Sequence, residues 1–390
     1  MDIDHLHFYV DDGVAWREWF VRYCGCRRIV TWQSDQVHRS LLSLGRVPLL
    51  LTSPLPGGPN QPEDCREDSA VAAYLNQHPN GVGDVAFRVR DLGAAVDRVL
   101  RQGGQLRQPV QTVTRPEGSF RWCQIQGWGS LRHTLIERHG PWYLLPWVPA
   151  VPAQSLDGAD DADSLVAIDH AVLNVALGDL EQAAAWYEAM LGFERQQRFV
   201  IKTPRSGLQS YVLSHPEGQA QIPINEPGTA NSQVQEFLTH NRGAGIQHVA
   251  LQTTNIVATV RRLRQRGLNF LAVPPTYYEG LNQRALELQA EIDLSSLQCQ
   301  EILADWSAGL PQSCLLQTFT QPIFGLPTFF FEVIERQRFW QGGTLKQAQG
   351  FGEGNFQALF EAIEREQIKR GSLRPGPRPE ALPNAISESC

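Results

Sequence analysis

The sequence predicts an α+β chain made of two tandem copies of one curved-sheet domain, each copy holding paired βαβββ modules. Three observations predict this. The opening Ile3-Asp4-His5 recurs as Ile168-Asp169-His170, and each is followed by an apolar stretch running to Val10 or Val175. The segment VAAYLNQHPNGVGDVAF (71–87) resembles VQEFLTHNRGAGIQHVAL (234–251), and beyond it a constant offset of 164 joins DLGAAVDRVLRQGG (91–104) to NIVATVRRLRQRGL (255–268). Between these markers, stretches of period-two alternation are separated by stretches of helical period.

Taken in order, the second copy is the more legible. Residues 168–175 read as a strand, and 179–190 as a helix stopped by Gly192, which tolerates the left-handed backbone of a helix end. Strands follow near 195–201 and 208–214. The next module opens with a helix near 232–241, a strand at 246–253 and a helix at 255–266. The repeat sets His5 opposite His170 and Asp84 opposite His248. A looser match lays Thr134 to Glu137 against Phe329 to Glu332, with about 31 extra residues before it in the second copy. Strand alternation then gives Phe330 and Glu332 one face and Phe331 the other. After Gly354, the residues Phe356, Leu359, Phe360 and Ile363 share one stripe of an amphipathic helix, with Asn355 as its N-cap.

The Pro-, Ala- and Asp-rich stretch 146–165 lacks apolar periodicity, which predicts a first domain over 1–150, a linker over 151–166 and a second domain over 167–371. The tail 372–390, with SLRPGPRPEALP, is expected to be flexible. Composition narrows the function classes. Seven cysteines in 390 residues, with no CxxC pair, are not a disulfide framework and fit a reducing cytoplasm. No run of eighteen apolar residues suggests a membrane span. A net charge of −7 without a large basic cluster offers no nucleic-acid footprint. A small-molecule partner is the remaining expectation.

His170, His248 and Glu332 sit at matching strand positions of successive modules and are chemically suited to one divalent iron. Two imidazoles and one carboxylate on one octahedral face leave three positions open for substrate and O₂, whereas a structural zinc site is closed. Each residue has an ordinary alternative: a strand histidine is more often a hydrogen-bonded core residue, and Glu332 after three phenylalanines could end a strand in solvent. The repeat favours the ligand reading, because it brings the three strands together. In the first copy His5 and Glu137 remain but Asp84 replaces the second imidazole, a harder and weaker set for iron. That half is expected to be structural and metal-free.

The segments IDHAVLNV (168–175), PINEPGTANSQVQEFLTHNRGAGIQHVAL (223–251), LLQTFTQPIFGLPTFFFEVIER (315–336) and GFGEGNFQALFEAI (350–363) resemble the signature segments of the 4-hydroxyphenylpyruvate dioxygenases. The resemblance runs from residue 1 to about 370. It implies two tandem vicinal-oxygen-chelate domains, each an open curved barrel, with a C-terminal helix over the active site. It further implies Fe(II) held by His170, His248 and Glu332, and conversion of 4-hydroxyphenylpyruvate and O₂ to homogentisate and CO₂. That reaction serves tyrosine breakdown or quinone and tocopherol synthesis. A homodimer or homotetramer is implied as well.

Carried over residue by residue, the pocket takes polar groups from Ser210, Asn225, Gln233, Gln247 and Gln317. Its apolar wall comes from Pro223, Phe319, Phe330, Phe351 and Phe356, and Asn355 is counted with it. Aromatic walls suit a phenol ring, and uncharged amides orient its hydroxyl. The stretch between Tyr277 and Cys314, and LKQAQ (345–349) before Gly350, depart from the family's pattern. Two other readings are 4-hydroxymandelate synthase, acting on the same substrate, and a non-catalytic glyoxalase-like protein that binds an aromatic ligand.

Overall fold

The structure is a computed structural model that describes residues 1–55, 67–152, 165–202, 206–306 and 310–373. The centre of the expected linker and the expected tail beyond Leu373 lie outside these residues. In the first half, β1 (Asp2–Tyr9), α1 (Gly13–Trp19), β2 (Arg27–Gln33), β3 (Val37–Leu44) and β4 (Val47–Pro54) form one βαβββ module. The helix α2 (Glu67–Gln77) leads to a second: β5 (Gly81–Arg88), α3 (Leu92–Arg101), β6 (Leu106–Arg115), β7 (Gly118–Gln126) and β8 (Arg132–His139).

The second half repeats the plan. Its first module is β9 (Leu165–Asn174), α4 (Leu180–Leu191), β10 (Glu194–Lys202), β11 (Gly207–Ser214) and β12 (Gln221–Pro227). After α5 (Gln233–Asn241) come β13 (Gly245–Thr253), α6 (Ile256–Gln265), α7 (Pro275–Leu288), α8 (Leu294–Gln300), β14 (Leu303–Trp306), β15 (Cys314–Phe319) and β16 (Phe330–Arg336). A hairpin, β17 (Arg338–Gln341) and β18 (Thr344–Gln347), then leads to α9 (Phe356–Arg370). The Tyr277–Cys314 stretch, where the sequence departs from the family's pattern, therefore contains two helices and an edge strand.

Each half is one eight-stranded sheet, ordered β2-β3-β4-β1-β5-β8-β7-β6 and β10-β11-β12-β9-β13-β16-β15-β14. The same order in both confirms the duplication and the tandem fold class. Helix ends match as well. Asp91 Oδ1 accepts from Ala94 N and Asn255 Oδ1 from Ala258 N, each at 3.0 Å, so both short polar side chains cap their helices. Gly192 ends α4 with φ of 75°, a conformation that a Cβ would strain.

Register corrects one part of the repeat. Across β13 and β16, His248 pairs with Phe330 and Ala250 with Glu332; across β5 and β8, Asp84 pairs with Arg132. The structural counterpart of Glu332 is therefore Thr134, and Glu137 corresponds to Glu335. Both of those glutamates do the same local work: Glu137 accepts from Leu92 N at 2.8 Å and Glu335 from Ile256 N at 2.7 Å, anchoring the starts of α3 and α6. The match of Thr134–Glu137 to Phe329–Glu332 was offset because a shared terminal glutamate outweighed the true pairing.

The two halves share one core. Phe8 of β1 is fully buried, with ring centroids 5.2 Å from Phe329 and 6.3 Å from Phe331. His133 of the first half lies 3.0 Å from the Tyr187 hydroxyl of the second. The interior of the first barrel is filled by its own chain. Leu144, Leu145 and Val148 are buried, and Trp147 packs on His7 and Trp122 with centroids 5.8 and 4.6 Å away. Residues 144–148, near the end of the expected first domain, are thus a plug, their apolar residues too few to show a period. Leu165 already belongs to β9, one residue earlier than the expected linker's last. Cys24, Cys26, Cys123, Cys299 and Cys314 are free thiols.

Phe331 faces this shared core, so Phe331→Ala is expected to lower unfolding free energy by about 3–5 kcal/mol in urea titration. A loss under about 1 kcal/mol would place the ring elsewhere. His7 gives a pH test. Its Nε2 lies 2.6 Å from Thr52 Oγ1, and burial, helped by Arg39, drives its pKa well below 6.5. Below that value the unfolded chain gains a proton that the folded chain refuses, so stability falls with pH at about 1.4 kcal/mol per unit from this group. His7→Gln should flatten the slope between pH 6.5 and 5 by that amount; an unaltered slope would mean that folded His7 is protonated.

Candidate metal centre

His170, His248 and Glu332 come from three adjacent strands, β9, β13 and β16. In register, Ala250 lies between His170 on one side and Glu332 on the other, while His248 is two residues along the same strand and so on the same face. The side chains of His170 and Glu332 lean toward each other over the Ala250 methyl, and His248 reaches in from the next row. His170 Nε2 is 3.3 Å and His248 Nε2 3.7 Å from Glu332 Oε2. All three ligand atoms lie within 4.8 Å of one another. His170 and Glu332 are buried, and 12% of the His248 side chain is exposed.

A β-bulge falls beside each histidine. Ala250 pairs with His170 but Leu251 with Ile168, so Asp169 is the extra residue. Its carboxylate accepts from His170 Nδ1 at 2.9 Å, leaving Nε2 directed at the centre. A second shift between Ile246 and His248 makes Gln247 the extra residue of β13. Consecutive residues Gln247 and His248 can then both line the pocket, which simple alternation would forbid.

The electrostatics suit a cation. Burial opposes charge on His170, but Glu332 and Asp169 outweigh it and raise its pKa to about 9. Burial likewise opposes charge on Asp169, and the Arg336 guanidinium overrides it, holding the carboxyl well below the usual range. Burial, reinforced by His170, keeps His248 well below 6.5, so that imidazole is neutral and has a lone pair to give. Glu332 favours positive charge at His170 Nε2, and a divalent ion there would meet the same attraction. The donor set and its spacing fit such an ion: cis ligands about 2.1 Å from a common centre sit about 3 Å apart.

Above the centre opens a pocket of about 710 Å³ including its mouth. Phe330 stacks on His248 with centroids 4.8 Å apart, Phe351 meets His170 edge-on at 5.3 Å, and Phe319 lies 6.4 Å from His248. From α9, Phe356 packs edge-on against Phe199 at 5.1 Å. Ser210 faces Asn225 across β11 and β12, and Asn225 Nδ2 donates to Asn174 Oδ1 at 3.3 Å. Gln233 Oε1 and Gln317 Oε1 are buried acceptors without a protein donor.

Comparison with known proteins agrees with this architecture. Residues 167–287 match the model of the Glyoxalase/Bleomycin resistance protein/Dioxygenase superfamily. Over 390 aligned residues the chain is 35% identical to a 4-hydroxyphenylpyruvate dioxygenase of Coccidioides posadasii, covering 95% of this chain and 94% of that one. The chain belongs to the 4-hydroxyphenylpyruvate dioxygenase family. Another relative, from Dictyostelium discoideum, is 32% identical over 95% of this chain and 99% of its own length. Among solved structures, a triple mutant of 4-hydroxymandelate synthase from Streptomyces coelicolor superposes with a TM-score of 0.78 at 26% identity, covering 94% of this chain and 98% of that one.

Within this dioxygenase fold the pocket is lined by His170, His248, Glu332, Ser210, Pro223, Asn225, Gln233, Gln247, Gln317, Phe319, Phe330, Phe351 and Phe356. Asn355 is not among the lining residues. It holds the N-cap position of α9 but makes no capping bond, because a 3₁₀ turn over Glu353–Asn355 leaves its own backbone helical. Instead its Oδ1 accepts from the Tyr277 hydroxyl at 2.7 Å, so α7 steadies the lid's start. Sequence reasoning missed Val172, Phe199, Ile201, Leu208 and Val212, which also line the pocket. Alternation could have found several: Leu208 and Val212 flank Ser210 at period two, and Val172 follows His170 at the same spacing.

The first barrel differs at the matching place. There Asp84 accepts from Gln124 Nε2 at 2.9 Å, Thr134 N at 2.9 Å and Thr134 Oγ1 at 2.6 Å. This carboxylate, facing Thr134 where the second half has Glu332, already accepts from three donors. Among the described residues the His170, His248 and Glu332 cluster is the metal-capable group found, and no helix is long and apolar enough to cross a membrane. Ala250→Leu tests the geometry, since a larger side chain would wedge His170 from Glu332. Calorimetric titration with Mn(II) should show binding lost, at a stability cost of about 1–3 kcal/mol; parental affinity would refute the row arrangement.

Proposed function

We propose that this chain is an Fe(II)-dependent dioxygenase that converts 4-hydroxyphenylpyruvate and O₂ to homogentisate and CO₂. The observation that carries the reading is two imidazoles and one carboxylate meeting on the floor of an aromatic pocket. His170, His248 and Glu332 would hold the iron, which when bound supplies adjacent coordination sites for the keto acid and for O₂ activation. The family relatives named for this substrate support the same reading.

The chain's own residues supply position and dryness. The rings of Phe319, Phe330, Phe351 and Phe356 line the space above the centre and give it walls that disfavour water. The buried acceptors Gln233 Oε1 and Gln317 Oε1 need a donor, and a phenol hydroxyl is one. Gly352 lets the chain pass tightly over Gln317: its φ is 73°, and a Cβ there would collide with the Gln317 amide. The free thiols fit a reducing cytoplasm.

The likeness to 4-hydroxymandelate synthase favours a second reading, in which the benzylic carbon is oxidised. Phe356 supports the first reading, because its ring, backed by Phe199, lines the pocket and narrows the room for a substrate ring. Product analysis of the Fe(II)-loaded protein with 4-hydroxyphenylpyruvate should give homogentisate, and mainly 4-hydroxymandelate would reverse the assignment. Phe356→Val is expected to change the ratio of the two products roughly tenfold. His248→Ala should abolish O₂ uptake with the unfolding midpoint kept; unchanged uptake would remove the mechanism.

A further inference from the structure

Arg336, at the end of β16, is buried and surrounded by acceptors. Its Nε and one terminal nitrogen donate to the two oxygens of Asp169, each at 2.7 Å. Its other terminal nitrogen donates to the carbonyls of Ala348 at 3.2 Å and Gly350 at 2.8 Å. One side of the guanidinium therefore leads, through Asp169 Oδ1, to the Nδ1 proton of His170. The other side grips the segment that carries Phe351 and then α9. The Phe351 ring closes the loop, 5.3 Å from the His170 ring and 6.0 Å from the guanidinium carbon. Only a planar fork of donors can hold both partners at once; an ammonium group is a single point.

We propose that Arg336 is a positioning residue that couples occupancy of the metal centre to closure of the lid segment 348–370. The inference rests on reading His170, His248 and Glu332 as a divalent-metal centre. An ion on His170 Nε2 fixes the ring's orientation, and with it the line along which Nδ1 meets Asp169 Oδ1. Asp169 then has one orientation that serves both His170 and Arg336, and Arg336 in that pose holds the two carbonyls that set the approach to the lid.

The first barrel holds the same device with its output locked. Arg138 donates to Asp4 at 2.6 and 3.1 Å and to the Leu144 carbonyl at 3.4 Å, and Asp4 contacts His5 Nδ1 at 2.8 Å. There too an arginine joins an Asp–His pair to the chain that closes the barrel. That chain is the buried plug of Leu144, Leu145 and Val148, and Asp84 stands where the second half has His248. Among the described residues, the metal-capable cluster at the far end of such a chain of bonds is the one in the second half.

The test uses the full chain, metal-depleted and titrated with Mn(II), read by calorimetry and by hydrogen exchange. In the parent, Mn(II) should slow exchange over 348–356 by roughly tenfold. In Arg336→Lys the charge beside Asp169 stays but the double grip is lost. Its Mn(II) affinity should fall about 10- to 100-fold, and saturating Mn(II) should no longer slow exchange in the lid. Arg138→Lys, the matched change in the first half, should leave both readouts at parental values, which separates coupling from a general structural role. Asp169→Asn cuts the same link from its other end and should reproduce the loss if the lysine variant does not fold. Metal-dependent protection that persists in a folded variant overturns the coupling. A parent that binds no Mn(II) overturns the metal-centre reading itself.

Discussion

Three polar groups crowd one side of a sheet because the strand between two of them carries a methyl group at the point of closest approach. Ala250 is flanked in register by His170 and Glu332, whose strands are about 9–10 Å apart. Reaching across that gap in a buried setting makes the groups strongly interacting, and the raised pKa of His170 is the direct consequence. A site whose carboxylates favour positive charge on a buried imidazole is one in which a cation has a place.

Duplication supplies the comparison that makes this constraint visible. Both barrels have the same strand order, the same bulge beside the first histidine and the same arginine behind its aspartate. They differ in what stands opposite. Asp84 and Thr134 satisfy each other in the first barrel, and its interior is filled by the plug containing Trp147. In the second, His248 and Glu332 converge to 3.7 Å on the floor of a pocket, and a helix presenting Phe356 lines its other side. One scaffold thus yields a filled core in one half and a reactive pocket in the other, through a few side chains and the last segment of each repeat.

The pocket's polar groups follow a similar logic. Amides at Gln233, Gln247 and Gln317 are neutral, so they do not compete with the carboxylate for a cation, yet they retain acceptors that an aromatic wall alone would lack. Phe330 and Phe331 divide the labour by strand alternation, one stacking on His248 and the other joining the halves through Phe8.

Residue chemistry and period were enough to recover the duplication, the module order, the opposite faces of Phe330 and Phe331, and the trio His170, His248 and Glu332, because repeats, alternation and side-chain type are written along the chain. Partner strands were not. Whether Glu332 answers to Thr134 or to Glu137 depends on hydrogen-bond register, and a local match of letters slipped by three residues where pairing across β5 and β8 does not. The bulges at Asp169 and Gln247, the folding back of 144–148 into the first barrel, and the engagement of Asn355 by Tyr277 are likewise decisions of the tertiary structure. In each, a residue's direction is set by a neighbour distant in sequence, and period alone holds no record of that neighbour.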